Sequence, residues 1–271
     1  MQHDPSDWLA RRRVGAARHP EANALHIYLL DADDELAQQF DVRLRLAVRQ
    51  GTTIRVLDAP AGGCELGPAL DRVRDGFGLL LIDGLVVRET ALGGRAAAEL
   101  LGAGDLLQGP GGRDEAMLER EERWRALWPA RFGLLDAEFA ERVRPWPQIT
   151  RAILRRAGRR AAELNEVRAI SSHPRLEVRL DLLFWHLAAR WGRVEPGGIR
   201  LTLPLTHRLL GELVAAERPS ICNALSRLSA AGLVTGPTGD WHLVGACGEH
   251  LRALLEDPVP LSARSGAAKW H

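Results

Sequence analysis

The stretch RLLGELVAAERPSICNALSRLSAAGLV, residues 208–234, carries side chains whose types and spacing fit base recognition. Its second half is apolar on one helical face, and the opposite face carries Arg218, Ser220, Asn223 and Arg227. Arginine is the forked donor that pairs with guanine, and asparagine pairs with adenine. Pro219 suits the first turn of a helix, where no intrahelical hydrogen bond is lost. The pattern predicts a helix whose N-terminal half meets the edges of DNA bases.

The flanking residues predict the elements that hold this helix. A first helix over 205–214 turns Leu209, Leu210 and Leu213 inward, and the small residues of AAE form the joint between the two helices. An amphipathic helix over 176–191 and a short strand precede them, and GLVTGPTGDWHLVG reads as a hairpin. This order is that of a winged helix-turn-helix. A single polar helix face is usually only solvated, but the whole constellation favours DNA.

A long helix precedes this region. A short helix that Asp136 caps ends at Pro145, and Pro147 then opens the long one. One apolar stripe follows it at three- and four-residue spacing: Ile149, Ile153, Ala157, Ala161, Leu164 and Val167. A long, narrow-striped helix beside a compact domain predicts a dimerisation helix over 146–170. The alternative is a helix that packs on its own domain.

The N-terminal part, from Ala24 to about residue 107, has mainly strand and turn signals. Asp83 and Gly84 form an Asp-Gly pair typical of a hairpin turn. Residues 117–135 fit a strand or a helix equally well. A series of short runs of this kind suggests a small antiparallel barrel or sandwich, and the whole chain is therefore of the α+β class.

Composition narrows the function further. The 271 residues are 46% hydrophobic and 26% charged, with a formal net charge of +1, as in an ordinary soluble protein of two domains. Cys64, Cys222 and Cys247 lie far apart without ligand spacing, so neither a zinc site nor an iron–sulfur cluster is expected. The free thiols suit the cytoplasm, and no apolar run is long enough to span a membrane.

The sequence resembles the catabolite activator/fumarate-nitrate regulator (Crp/Fnr) family of bacterial transcription factors. The resemblance is carried by LDLLFWHLAARWG, LTLPLTHRLLGELVAAERPSICNALSRLSAAGLV and GDWHLVG, within residues 180–245. LLLIDGLVVRET and GRAAAELLGAGDLL resemble more weakly the family's cyclic-nucleotide-type jelly-roll barrel, a double-stranded β-helix. LDAEFAERVRPWPQITRAIL resembles the approach to its central dimer helix.

The resemblance implies roles for named residues. Thr206 and His207 should lie at the start of the first helix, against the phosphate backbone. Arg218, Ser220 and Asn223 should face base edges, and Arg227 should lie nearer the phosphates. Thr238 should lie at the tip of the predicted hairpin, which is the wing of the winged helix, near the DNA backbone. The family works as a homodimer on near-palindromic double-stranded DNA, and an activator would also contact RNA polymerase. A signal from the barrel would pass along the dimer helix to the recognition helix, which is the base-reading helix that begins at Arg218.

The barrel departs from the family's nucleotide-binding pattern. QGPGGRDEAMLEREERW follows GAGDLL, with no Gly-Glu step and no Arg followed by a small residue, so cyclic AMP is not expected. Arg113 is followed by Asp114 and Glu115, which would repel a phosphate. His3, His19 and His26 leave haem ligation open. The cofactor stays unknown.

Two other classes of function compete with a DNA-binding regulator. No catalytic motif such as GxSxG, HExxH or a P-loop occurs, so the chain is not expected to be an enzyme. A winged helix that contacts proteins is the stronger alternative, because residues 171–250 carry eight arginines against seven acids. The interpretation divides the chain into a flexible N-terminus (1–23), a jelly-roll sensor (24–145), the dimerisation helix (146–170), the winged helix-turn-helix (171–250) and a C-terminal tail (251–271).

Overall fold

The computed structural model describes residues 26–109 and 120–256. Strand β1 (His26–Tyr28) leads into three helices, which are α1 (Leu29–Ala32), α2 (Asp34–Ala37) and α3 (Val42–Gly51). The rest of the N-terminal part comprises β2 (Thr53–Ala59), β3 (Gly62–Gly63), α4 (Gly67–Arg72), β4 (Gly78–Leu92), β5 (Arg95–Gly102), β6 (Leu106–Leu107) and β7 (Arg120–Leu135). Helix and sheet are therefore mixed, as the α+β class requires.

Seven antiparallel strands form the N-terminal sheet. Their order is β1-β2-β7-β4-β5, with β3 on β7 and β6 on β4. Residues 120–135, within the segment whose pattern fits a strand or a helix equally well, form the 16-residue strand β7. This strand pairs along β4 from Gly78 to Leu92. Buried apolar side chains of both strands form the core, among them Leu81, Val86 and Phe132.

The hairpin predicted at Asp83-Gly84 is wrong. β4 runs through both residues, and its register with β7 shifts on either side of Asp83. Gly84 has φ +105°, and a Cβ atom there would lie 2.5 Å from the carbonyl oxygen of Pro129. The glycine serves a bulge and a close strand contact, whereas the turn to β5 lies at Gly93 and Gly94, both with positive φ.

Two helices follow the sheet, α5 (Ala137–Arg142) and the long helix α6 (Pro147–Ser172). Asp136 caps α5 as predicted, because its Oδ1 accepts a hydrogen bond from the Phe139 backbone at 2.9 Å. The same carboxylate receives the Arg55 guanidinium at 2.6 Å, so the cap is fastened to β2.

The apolar stripe of α6 divides between two environments. Ile149 and Ile153 are buried in the core of the N-terminal domain, and Ala157 packs partly against it. Their side chains are therefore unavailable to a second protomer, because they already cover β4 and its neighbours. Leu164 is 40% exposed, and with Val167 it borders a cavity described below. The opposite face of α6 is exposed.

The C-terminal part has the element order that the sequence predicts, except that two paired strands stand where one short strand is expected. Its elements are α7 (Leu176–Trp191), β8 (Arg193–Glu195), β9 (Gly198–Leu201), α8 (His207–Val214), α9 (Arg218–Ala230), β10 (Val234–Thr235), β11 (Trp241–Val244) and α10 (Cys247–Glu256). The strands form a four-stranded antiparallel sheet in the order β10-β11-β9-β8. One buried cluster contains Leu209 and Leu213 of α8 together with Leu85 and Val87 of β4, so the two parts of the chain share a core.

Candidate nucleic-acid interface

Helices α8 and α9 pack by the faces that their leucine spacing predicts. The buried positions are Leu209, Leu210 and Leu213 in α8, and Ile221, Ala224, Leu225 and Leu228 in α9. Each large side chain buried in this way contributes about 1.5–3 kcal/mol. Together they fix which face of α9 is turned outward.

The joint between the helices is tight. Ala215 adopts the left-handed conformation with φ +55°, and the Ala216 backbone N–H donates to the Gly211 carbonyl at 2.8 Å. A Cβ atom on Gly211 would lie 2.4 Å from the Ala216 carbonyl oxygen. The alanines at 215 and 216 are recognisable as the joint from the sequence, whereas the role of Gly211, one turn earlier, depends on the joint folding back on α8.

The outward face of α9 begins with Arg218, Ser220 and Asn223, all exposed. Arg218 makes no hydrogen bond or ion pair to another residue in 26–109 or 120–256. Ser220 lies in the first turn, where backbone N–H groups have no partner inside the helix and can donate to an anion. The N-terminal half of α9 thus presents donors to whatever approaches it.

Arg227 forms an ion pair within the protein. Its Nη1 donates to the Glu177 carboxylate at 2.5 Å, and Glu177 on α7 is buried. Burial alone would raise the pKa of Glu177, but its own backbone N–H and the Arg227 guanidinium lower it below the usual value. The pair ties α9 to α7, and Glu177 is a residue that sequence spacing did not single out because it lies 50 positions away.

His207 joins the recognition helix to the wing. Its Nδ1 lies 3.2 Å from Cys222 Sγ on α9, and its Nε2 lies 3.5 Å from Thr238 Oγ1 in the β10–β11 turn. Burial and the positive charge of Arg218 lower the pKa of His207, so the imidazole is neutral at neutral pH. The ring therefore links α9 to the β10–β11 turn, and its contact with phosphate stays a prediction.

Thr206 and Thr238 lie where the resemblance places them along the chain. Thr206 is the N-cap of α8, and its Oγ1 accepts from the Leu209 backbone at 3.2 Å. Thr238 is exposed at the turn of the wing. Trp241 anchors the wing because its indole is fully buried against the ring of Phe184.

Ion pairs neutralise much of the basic charge around this surface. Arg200 holds Asp240 at 2.6 Å, Arg208 holds Glu212 at 2.8 Å, and Arg227 holds Glu177. Arg218, which has no such partner among the described residues, keeps an unpaired positive charge at the start of α9, beside the exposed N-cap residue Glu217.

The possible cofactor ligands do not come together in the described part of the chain. His3, His19 and Arg113 lie outside the described residues, and His26 is exposed at the start of β1. Among residues 26–109 and 120–256, no three His, Cys, Asp or Glu side chains could hold one metal ion. No described helix is both long and apolar enough to cross a membrane.

Comparisons with known proteins agree with this geometry. Residues 178–244 match the model of the Crp-like helix-turn-helix domain. Among solved structures, CprK complexed with OCPA aligns with TM-score 0.55 and 15% identity over 77% of this chain and 91% of that one. A CooA mutant from Carboxydothermus hydrogenoformans aligns with TM-score 0.57 and 14% identity over 86% and 96%.

A third solved structure has the same fold. The c-di-GMP-responsive regulator CLP of Xanthomonas campestris aligns with TM-score 0.54 and 17% identity, over 79% of this chain and all of that one. No curated protein matches the sequence.

Proposed function

We infer that the chain is a DNA-binding transcription regulator of the Crp/Fnr type, which reads double-stranded DNA with the N-terminal half of α9. The resemblance drawn from the sequence is confirmed by the matching helix-turn-helix domain and the shared fold. The observation that carries the assignment of α9 is its exposed donor face, at Arg218, Ser220 and Asn223, opposite a fully buried leucine face.

The contacts divide the polar residues into two groups. Arg218, Ser220 and Asn223 have free outward side chains and would meet base edges or the phosphates beside them. His207, Thr206 and Arg227 are engaged by other parts of the protein. Their role is to set the angle of α9 and of the wing, whose Thr238 would approach the backbone.

A second copy of the chain would pair along the exposed face of α6. Leu154 is 62% exposed, and the turns beyond it on the same face carry Gly158, Ala161 and Asn165. Small residues at three- and four-residue spacing let two helix backbones approach closely, and a buried asparagine can fix their register. Of the predicted stripe, Ala161 belongs to this face, whereas Ile149 and Ile153 lie on the other. A dimer built here would present two α9 helices to a near-palindromic site.

The N-terminal sheet would act as the sensor. Its shared core with α8 offers a physical route by which a change in the sheet alters α9. We propose that the protein works in the cytoplasm without cyclic AMP, that its effector is still to be identified, and that RNA polymerase is a partner if it activates. It has no expected catalytic role.

DNA binding is tested by the anisotropy of labelled random duplexes, titrated from about 50 mM to about 200 mM salt. Ser220→Glu places an anion at the contact surface, yet acidic residues suit a helix N-terminus, so α9 should stay folded. We expect binding by the natural chain, loss in Ser220→Glu and retention in Ser172→Glu, whose serine is exposed at the end of α6. Absence of binding by the natural chain at low salt would favour a protein-binding winged helix.

A further inference from the structure

A cavity of about 820 Å³ lies between the long helix α6 and helix α7 of the DNA-binding part. Strand β5 and the β5–β6 turn close it on the side of the N-terminal sheet. Small-molecule sites have volumes of about 300–1,000 Å³ and favour the boundary between domains. The cavity therefore has the size and the place of a ligand site.

Its walls are largely apolar. The side chains that form them include Leu100 of β5, Leu164 and Val167 of α6, and Leu182, Trp185 and Trp191 of α7. The Trp191 indole lies so close to β5 that a Cβ atom on Gly102 would be 2.8 Å from it. Two tryptophans and several aliphatic side chains in the lining favour a hydrophobic, aromatic occupant.

Charged groups of the lining are mostly engaged in ion pairs. Five carboxylates border the cavity, at Glu35, Glu99, Asp105, Glu163 and Glu166, against two guanidinium groups, at Arg159 and Arg190. His186 adds an imidazole 3.2 Å from the Glu166 carboxylate. Arg156 and Arg160, outside the lining, bind Glu35 and Glu99, and Arg190 binds Asp105, which leaves Glu163 and Glu166 as the least neutralised carboxylates. An anion would enter beside these two carboxylates, and both guanidinium groups of the lining are already paired.

We propose that this cavity binds an uncharged or cationic aromatic molecule, and that anionic nucleotides are excluded from it. The site deepens the proposed function and rests on it only for the consequence of binding. Arg190 of α7, a lining residue, bridges to the β5–β6 turn, because its guanidinium donates to Asp105 Oδ2 at 2.9 Å and to the Ala103 carbonyl at 2.8 Å. An occupant would touch α6, α7 and β5 at once and so stabilise one placement of the DNA-binding part.

Two fluorescent probes that differ by one sulfonate test the site. N-phenyl-1-naphthylamine is uncharged, and 8-anilino-1-naphthalenesulfonate is the anionic counterpart. We expect the full chain to bind the uncharged probe at least about tenfold more tightly than the anionic one. Val167→Phe places a larger side chain in the cavity from the partly exposed face of α6. It should weaken the binding of the uncharged probe by a similar factor.

Charge selectivity is tested by the double variant Glu163→Gln/Glu166→Gln. It should reduce the preference for the uncharged probe, and Glu138→Gln/Glu141→Gln, with the same spacing on exposed α5, should leave it unchanged. The proposal is overturned if Val167→Phe binds the uncharged probe as well as the natural chain, if the anionic probe binds equally well, or if neither binds. Each result concerns probe binding alone, so it is distinguishable from a failure to bind DNA.

Discussion

Arg218 differs from its neighbouring arginines in having no partner among the described residues. Arg200, Arg208 and Arg227 each form an ion pair with a carboxylate, which largely neutralises their charges. The guanidinium of Arg218 is exposed at the start of α9 and also lowers the pKa of His207, after burial the second cause of that shift. It is the side chain best placed to read a base.

Replacement of Arg218 by alanine should weaken specific DNA binding by about 1–3 kcal/mol and relax the preference at one position of each half-site. The expected reason is the loss of a bidentate contact to guanine. Competition titrations against single-base variants of the preferred duplex measure both effects. Arg144→Ala, an exposed arginine at the end of α5, is the matched control. An equal loss on every sequence would show that Arg218 contacts only phosphate.

His250 and Asp181 form a buried pair behind the DNA-binding surface. His250 Nδ1 lies 2.6 Å from Asp181 Oδ1 and 3.2 Å from the donor Trp185 Nε1, and its Nε2 lies 2.5 Å from the Val244 carbonyl oxygen. Burial alone would lower the pKa of His250, but Asp181, the Val244 carbonyl and Glu249 raise it above the usual value. The ring of His250 links α10 to α7 through Asp181 and to β11 through the Val244 carbonyl.

This pair predicts a pH-dependent stability. Because the folded-state pKa of His250 exceeds the unfolded value of about 6.5, its stabilisation is complete below that pH and is lost as pH rises through the folded value. Urea unfolding of the natural chain should therefore show a free energy of unfolding that falls, relative to His250→Gln, as pH increases above about 6.5. A constant difference between the two chains across that range would contradict the charged pair.

At the scale of the element, the joint between α8 and α9 depends on close backbone approach. Gly211→Ala should destabilise the protein by about 1–3 kcal/mol, because the added methyl group overlaps the Ala216 carbonyl. Gly248→Ala on α10 is the control, since a Cβ atom there meets nothing within 4 Å and alanine favours a helix. Thermal unfolding of both variants measures the contrast. Equal stability of the two would mean that the joint has room to relax.

The exposed face of α6 predicts the dimer contact. Leu154→Glu should yield monomers with weak DNA binding, because it sets two like charges against each other across closely packed helices. Leu255→Glu, at a similarly exposed leucine of α10, should leave the association state unchanged. Sedimentation velocity distinguishes the two outcomes. An unaltered dimer in Leu154→Glu would place the interface elsewhere.

Patterns of neighbouring residues predicted many of the helices and strands. The features that were not predicted depend on contacts between residues far apart in the sequence. Leucine spacing predicted both helices of the DNA-binding motif, and the position of Asp136 before an apolar run predicted the N-cap of α5. Both patterns act within one or two helical turns. The role of Gly84 depends on Pro129 of a neighbouring strand, and that of Arg227 depends on Glu177. The buried face of α6 is likewise chosen by the sheet it covers, which periodicity in the helix alone does not specify.

At the scale of the whole molecule, the two parts of the chain are coupled by contact. They share a hydrophobic cluster at β4 and α8, and Arg190 spans from α7 to the β5–β6 turn. A ligand that changes either contact would change where α9 lies relative to α6. Regulation is thus expected at this junction, whereas sequence reading belongs to α9.

The central claim is that two copies of the chain read a symmetric DNA sequence through paired α9 helices. Selection from random duplexes at near-physiological salt, with and without cyclic nucleotides, tests it most directly. We expect enrichment of an inverted repeat with half-sites about 10 base pairs apart from centre to centre, independent of nucleotide. Enrichment that requires a cyclic nucleotide would contradict the assignment of the sensor, and no enriched sequence at all would contradict sequence-specific reading by α9.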